Sequence, residues 1–179
     1  MKPGWGRASK RRMTRLEKIM SLLKLKPLPG EGGYFVETYR SDERVPQEAL
    51  PARYQGPRAF ATAIYYLLTP DSFSALHRLQ TDEVYHFYAG DPVEMLQLKP
   101  DGTGLRLVLG SEIWNGRQLQ VMVPRGVWQG SRLLPGGSFA LLGTTMAPGF
   151  ERADYESGSR EGLLKAYPTY QDAILALTR

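Results

Sequence analysis

The chain contains no cysteine and only two histidines, His77 and His86, among its 179 residues. The first absence removes disulfides, thiolate metal sites and cysteine nucleophiles. The second removes any site that needs three imidazoles, such as a three-histidine catalytic zinc. No apolar stretch approaches the roughly 18 residues of a membrane span; the longest, Phe60–Leu68, is interrupted by Thr62. Walker, dinucleotide and Gly-x-Ser-x-Gly fingerprints are missing too. Gly30, Gly32 and Gly33 precede a strand-like run and not a helix, which excludes a phosphate cradle at a helix terminus.

Acidic residues are absent from the start of the chain, where Lys2, Arg7, Lys10, Arg11, Arg12 and Arg15 carry six positive charges before Glu17. The whole chain is +5, which leaves −1 for residues 16–179, so the basicity belongs to a tail and the body is nearly neutral. Residues 1–13, with little apolar surface, are expected to form a disordered basic tail. Residues 14–179, within a chain that is 42% hydrophobic and 23% charged, are expected to form a single domain around one core. A nucleic-acid partner is not expected, because the body lacks a basic and aromatic surface pattern. The charges are not followed by the apolar core of a secretory signal, and a cytoplasmic setting with no membrane contact is expected.

Thr14-Arg15-Leu16-Glu17 has the spacing of a capping box, and Leu16, Ile19, Met20 and Leu23 recur at helical spacing before Pro27. Tyr34–Tyr39 is aromatic and β-branched, as strands prefer. Residues 41–57, with Pro46, Pro51, Gly56 and Pro57, read as a long loop. Further strands are predicted over Ala59–Leu68, Phe73–Leu79, Glu83–Tyr88, Val93–Lys99, Leu105–Leu109, Leu119–Val123 and Phe139–Thr145. Pro100-Asp101-Gly102 predicts a hairpin turn. Two short helices, Glu161–Ala166 and Tyr170–Leu177, are split by Pro168. Seven or eight antiparallel strands with peripheral helices point to a β-sandwich or jelly roll.

Both histidines fall in the run His77-Arg78-Leu79-Gln80-Thr81-Asp82-Glu83-Val84-Tyr85-His86-Phe87-Tyr88-Ala89-Gly90, and Pro124-Arg125-Gly126-Val127-Trp128-Gln129 follows downstream. These stretches resemble the two signature motifs of the cupin superfamily. His77, Glu83 and Gly90 fall on positions of the first motif, with Leu79 where a second histidine is expected. Pro124 and Gly126 match the second motif, with Gln129 in place of its histidine. The chain is similar in particular to a cupin branch known only as a domain of unknown function. That likeness runs from Gly32-Gly33-Tyr34 and Glu37-Thr38-Tyr39-Arg40 through Tyr65-Tyr66-Leu67 to Ala147-Pro148-Gly149-Phe150, and covers nearly all of residues 15–179. It implies an all-β fold, the cupin double-stranded β-helix or jelly-roll barrel, with an N-terminal helix and short C-terminal helices.

Metal-bearing cupins hold a divalent ion with three imidazoles and a carboxylate. One imidazole and one carboxylate remain at those positions here, and a glutamine amide or a leucine is a poor substitute. The resemblance therefore implies no metal, or a weakly held divalent ion on His77, Glu83 and Gln129, with His86 as an outside candidate. Along an unbroken strand Glu83, Tyr85 and Phe87 share one face, and Val84, His86 and Tyr88 the other, which sets His86 apart.

The polar cluster His77, Glu83 and Gln129 has two readings: side chains that merely hydrogen-bond one another inside the fold, or a ligand site. In the second, His77 is a general base, Glu83 orients it, and Tyr66 or Tyr85 supplies a proton. Gln129 and Trp128 would contact the ligand, and Arg40 and Arg78 would bind a carboxylate or phosphate; surface or core roles are the alternatives for these three larger side chains. The expected ligand is a small polar metabolite such as a sugar nucleotide or organic acid. Metal-free sugar-nucleotide epimerases share the cupin barrel and use a His base with a Tyr acid, so epimerase-like proton abstraction is the enzymatic reading. A non-catalytic ligand-sensing or storage protein is the alternative, with a weak divalent-metal cupin beside it. Because cupins commonly pair through N-terminal strands, a homodimer sharing the strand around Tyr34–Arg40 is expected.

Overall fold

Thr14 caps the first helix, α1 (Arg15–Leu23), with the reciprocal bonds the sequence predicts: Glu17 N–H donates to Thr14 Oγ1 at 3.1 Å and Thr14 N–H to Glu17 Oε2 at 2.7 Å. The computed structural model describes residues 13–179, so the basic tail expected over residues 1–13 lies outside the described residues except for Met13. After α1 come β1 (Lys26–Pro27), β2 (Tyr34–Arg40), β3 (Arg44–Val45), β4 (Arg58–Ala59) and β5 (Thr62–Leu68). The central run is β6 (Phe73–Arg78), β7 (Glu83–Gly90), β8 (Val93–Leu98) and β9 (Gly104–Leu109). It continues through β10 (Gln120–Val123), β11 (Trp128–Leu133), β12 (Ala140–Met146) and β13 (Glu156–Ser157) to α2 (Arg160–Ala166) and α3 (Gln171–Ala176).

The strands form a six-stranded sheet in the order β1-β2-β5-β12-β7-β10, a five-stranded sheet in the order β13-β6-β11-β8-β9, and the small hairpin β3-β4. The core lies between the two large sheets. Tyr66, Leu68, Tyr85 and Phe87 project from one and Val93, Met95, Leu107 and Leu109 from the other. This is the all-β jelly roll expected, built as two facing sheets with every strand pair antiparallel. Helix α1 lays Leu16, Ile19, Met20 and Leu23 against Leu67, Phe139 and Leu141 on the outer side of the larger sheet. Helices α2 and α3 cover the outer side of the smaller sheet, where Leu163, Ala173, Ile174 and Leu177 meet Leu76, Leu96 and Leu98. Among the described residues no helix is long and apolar enough to cross a membrane.

Several elements differ from the expectation, the short strands β1, β3 and β13 among them. Strand β11 is absent from the strands predicted, because its inward positions Gln129 and Ser131 are polar and Gly130 interrupts them. Packing is tight at that glycine: a Cβ there would lie 3.0 Å from the Ser74 carbonyl oxygen. The predicted strand Ala59–Leu68 is two elements, β4 and β5, with β4 turned away to pair with β3 inside the supposed loop. Turn chemistry elsewhere holds: Gly102 sits at φ +84° and Asp101 accepts from the Thr103 N–H at 2.9 Å, closing the β8–β9 hairpin.

Candidate functional site

A cavity of about 390 Å³ opens between the sheets at the end where β2, β5, β6, β7 and β12 converge. Strand alternation decides which side chains reach it. On β6, His77 turns inward while Leu76 and Arg78 turn out, and on β7 Glu83 and Tyr85 turn inward while His86 turns out. A bulge in β2 between Glu37 and Tyr39 resets the alternation, so that Arg40 and Glu37 both border the cavity. His77, Glu83, Tyr66, Tyr85 and Arg40 are thus brought to one cavity, as is Leu79.

His77 is 1% exposed and its Nδ1 lies 2.8 Å from the Ala75 carbonyl oxygen. A carbonyl only accepts, so Nδ1 carries a proton and the neutral ring keeps its lone pair on Nε2. Nε2 is 3.9 Å from Glu31 Oε2, and the Tyr155 ring stacks on the imidazole at 5.1 Å between centroids and 18° between planes. Gln129 stands opposite His77 on the neighbouring strand and donates its amide N–H to Glu83 Oε2 at 2.7 Å. It supports Glu83 from behind and does not itself line the cavity; its Oε1 has no partner among the described residues.

Glu31, Ser74 and Tyr155 are site residues that the sequence reading missed. Glu31 projects from the turn before β2, where Gly30, Gly32 and Gly33 take φ values of +83°, +105° and +68°. A Cβ on Gly32 would lie 2.3 Å from the Phe73 carbonyl oxygen, and one on Gly33 would lie 2.8 Å from the Tyr66 hydroxyl. Only glycine fits both positions, and the turn is further tied by the Tyr66 hydroxyl donating to the Gly32 carbonyl at 2.9 Å. The carboxylate it presents accepts from Ser74 Oγ at 2.9 Å. An acid framed by Gly-x-Gly-Gly before a strand was the available signal, and its meaning as a side-chain holder depends on what packs beneath it.

Burial raises the pKa of Glu83, and the charge of Glu31 adds to this, while His77 and the hydrogen bonds from Thr144 and Gln129 pull the other way. Burial also pushes the Tyr85 hydroxyl well above its ordinary range, helped by Glu83 and Glu31, and does the same to Tyr66, helped by Glu31. A carboxyl whose folded pKa is raised is favoured in its protonated form by folding. Its contribution to stability is complete below the ordinary value of 4.5 and is lost as pH climbs through the raised value. Glu83→Gln keeps the shape and removes that titration. The variant is expected to match the wild type near pH 4 and to melt higher at pH 7–8, where the wild type bears the cost of a buried carboxylate. Paired melting curves across that range check it, and a variant that melts lower at neutral pH would contradict it.

Arg78, Trp128 and His86 lie elsewhere. Arg78 pairs with Glu156 at 2.7 Å and lies 4.5 Å over the Trp128 ring, which packs against the α2–α3 cluster; both are on the outer side of the smaller sheet. They lie outside the cavity because Arg78 and Trp128 neighbour the inward His77 and Gln129 in sequence and so take the opposite face. Arg40 borders the cavity but is bound to Glu37 at 2.8 Å and to Glu151 at 3.3 Å. His86, on the outer face of the larger sheet, bonds Thr145 Oγ1 at 3.1 Å and Gln120 at 3.1 Å. It cannot join His77 and Glu83 around one ion. Among the described residues no three His, Cys, Asp or Glu side chains are grouped to hold a metal, and the Gln129 amide N–H is directed at Glu83. This donor set does not fit the metal of metal-bearing cupins.

The cavity has a wall made by the segment after β12, which contributes Phe150, Arg152 and Tyr155. That segment is anchored by a buried ion pair: Arg58 Nη2 meets Asp154 Oδ1 at 2.5 Å and Arg58 Nε meets Oδ2 at 3.1 Å.

The sequence matches the family described as Cupin superfamily (DUF985) over residues 17–158. An uncharacterized protein of Saccharomyces cerevisiae is 33% identical over 143 residues, covering 75% of this chain and 71% of that protein. Among solved structures, a protein from Shewanella oneidensis superposes with a TM-score of 0.81 at 30% identity, covering 93% of this chain and 99% of the other. A hypothetical protein from Leishmania major does so with 0.80 at 31%, covering 90% and 97%. Oxalate decarboxylase from Bacillus subtilis is a likeness of fold alone, with a TM-score of 0.52 at 15% identity over 86% of this chain and 37% of that one. With the match over residues 17–158 and these relatives, the chain belongs to the cupin superfamily, in the family described as DUF985.

Proposed function

We propose that this cupin binds a small polar metabolite in the cavity between its sheets and moves a proton on it with His77 as base. The observation that carries the reading is the fixed tautomer of His77, whose Nδ1–H is held by the Ala75 carbonyl and whose Nε2 is left as the acceptor. A ligand carbon acid placed at Nε2 would lose its proton there. Tyr85 is the better placed acid, because the Tyr66 hydroxyl already donates to the Gly32 carbonyl; burial keeps both phenols protonated. Proton removal by His77 and return from Tyr85 on the other face of the same carbon would invert it, with no net gain or loss of atoms. The alternative is a ligand-sensing or storage protein that uses the same cavity without chemistry.

Solvent exchange separates the two. With a bound ligand in deuterated water, the first reading expects deuterium at the carbon beside the ligand's carbonyl, and Tyr85→Phe slows inversion more than exchange. Binding with no incorporation would leave the sensing or storage reading in its place.

We also propose that the protein is a homodimer joined through the larger sheet. Tyr39, Tyr88 and Met122 are each about half exposed on its outer face, at 53%, 52% and 52%. The backbone edge of β2 beyond Phe35 has no strand partner among the described residues, and such edges favour pairing. Light scattering is expected to return twice the 20.1 kDa chain mass at micromolar concentration, and a particle of one chain mass would refute the pairing.

A further inference from the structure

We propose that the cavity is built for an amino-carboxylate with an apolar body, its ammonium group on Glu31 and its carboxylate on Arg152. The inference rests on the reading of the cavity as a ligand site and names the class of ligand.

The first observation is an imbalance of charge at the inner end. Glu31 and Glu83 both line the cavity there; the His77 imidazole is 3.9 Å from Glu31, and among the described residues no arginine or lysine pairs with either carboxylate, Arg179 being spent on the backbone carbonyls of Gly30 and Glu31. The neutral donors nearby include the hydroxyl of Ser74, committed to Glu31, and the amide of Gln129 behind the cavity, committed to Glu83. With His77 neutral as the base and burial favouring the protonated form of Glu83, Glu31 is the carboxylate left without a paired cation. A ligand ammonium supplies that charge with N–H donors for the remaining carboxylate lone pairs.

The second observation is an unspent cation on the segment that walls the cavity. Arg152 lines it with its guanidinium 4.5 Å over the Tyr155 ring and makes no ion pair among the described residues. Arg40, which also lines the cavity, is held by Glu37 and Glu151. Arg152 is therefore the guanidinium free to take a carboxylate by a two-pronged contact. The Tyr155 ring touches both ends of the arrangement, since it carries Arg152 and stacks on His77.

The third observation concerns the walls. Leu28, Phe35, Ile64, Met146 and Phe150 offer hydrocarbon and no acceptors. Sugar hydroxyls set against them would lose their hydrogen bonds to water without replacement, whereas an alkyl or aromatic body gains from the burial. A volume of about 390 Å³ is at the small end of ligand cavities, and suits one such molecule better than a sugar nucleotide.

The test uses the full chain and thermal-shift and calorimetric titration with L-leucine, L-phenylalanine and 6-aminohexanoate, which differ in the separation of amine and carboxylate. Each has a matched analogue lacking the amine and one lacking the carboxylate. At least one parent compound is expected to bind, with each deletion analogue about 10-fold weaker or more. Glu31→Gln is expected to erase the advantage of the parent over its des-amino analogue while leaving the affinity for that analogue within about 2-fold. Arg152→Gln is expected to erase the advantage over the analogue lacking the carboxylate. A des-amino analogue that binds wild type as tightly as its parent overturns the assignment. So does His77-dependent binding of a sugar nucleotide with none of the amino-carboxylates bound, an outcome that leaves the broader reading standing. Failure of every compound, sugar nucleotides and organic acids included, overturns both.

Discussion

Replacing Asp154 by alanine is expected to destabilise the protein by about 3–5 kcal/mol, the cost of leaving a buried guanidinium without its counter-ion. The side chains of Arg58 and Asp154 are 3% and 2% exposed, and the contact is two-pronged, so neither solvent nor a simple shift of either group can replace it. The third arm of the guanidinium is fixed by the Gly56 and Pro57 carbonyls, and the Tyr54 ring lies 5.0 Å away, which leaves Arg58 no route out to water. For a chain of this length the melting temperature should fall by about 6–20 °C. The comparison is Asp172→Ala, whose partner Arg106 is 40% exposed and which is 70% exposed itself; losing that surface pair should leave the melting temperature nearly unchanged. Asp154 also holds the segment that carries Arg152 and Tyr155 onto the cavity, so the same substitution should weaken binding in the fraction that remains folded. Melting curves in which the two variants lose the same small amount would show that the buried pair is no anchor.

Much of this architecture is legible in the sequence because its signals are local. The capping box at Thr14, the turn at Pro100-Asp101-Gly102 and the alternation of β7 each depend on residues a few positions apart, and each is present in the structure. Alternation also sets Glu83 and His86 on opposite faces of β7, and the structure turns the Glu83 face inward. The same rule, applied one residue to either side, sets Arg78 and Trp128 on the outer side of the smaller sheet; side-chain chemistry alone, which suggests a ligand role for both, carries no information about the face.

What the sequence hides is long-range. Gln129 and Ser131 break the apolar pattern of β11 because the strand carries polar groups into the fold, so periodicity cannot find it. Glu31 reaches the site through three left-handed glycines whose conformation is set by Phe73 and Tyr66, strands away. Asp154 looks like one acid among several in a charged stretch, and its pairing with Arg58 joins positions at opposite ends of the domain. The bulge that turns Arg40 inward depends on how β2 meets β5.

The central claim is that the cavity is a ligand site organised by His77, and His77→Asn tests it with the largest effect on function. An asparagine amide can take the place of Nδ1 and still donate to the Ala75 carbonyl, which preserves the local fold. It has no counterpart to Nε2 and no ring for Tyr155 to stack on. The loss of one charge-assisted contact and of the base itself should weaken the tightest ligand found for the wild type by about 10–100-fold. The melting temperature without ligand should shift by less than about 3 °C, which separates a site effect from unfolding. Calorimetric titration of that ligand into wild type and His77→Asn is the decisive measurement. The account predicts a clear loss of affinity in a folded variant, and equal affinity in the two proteins would contradict it.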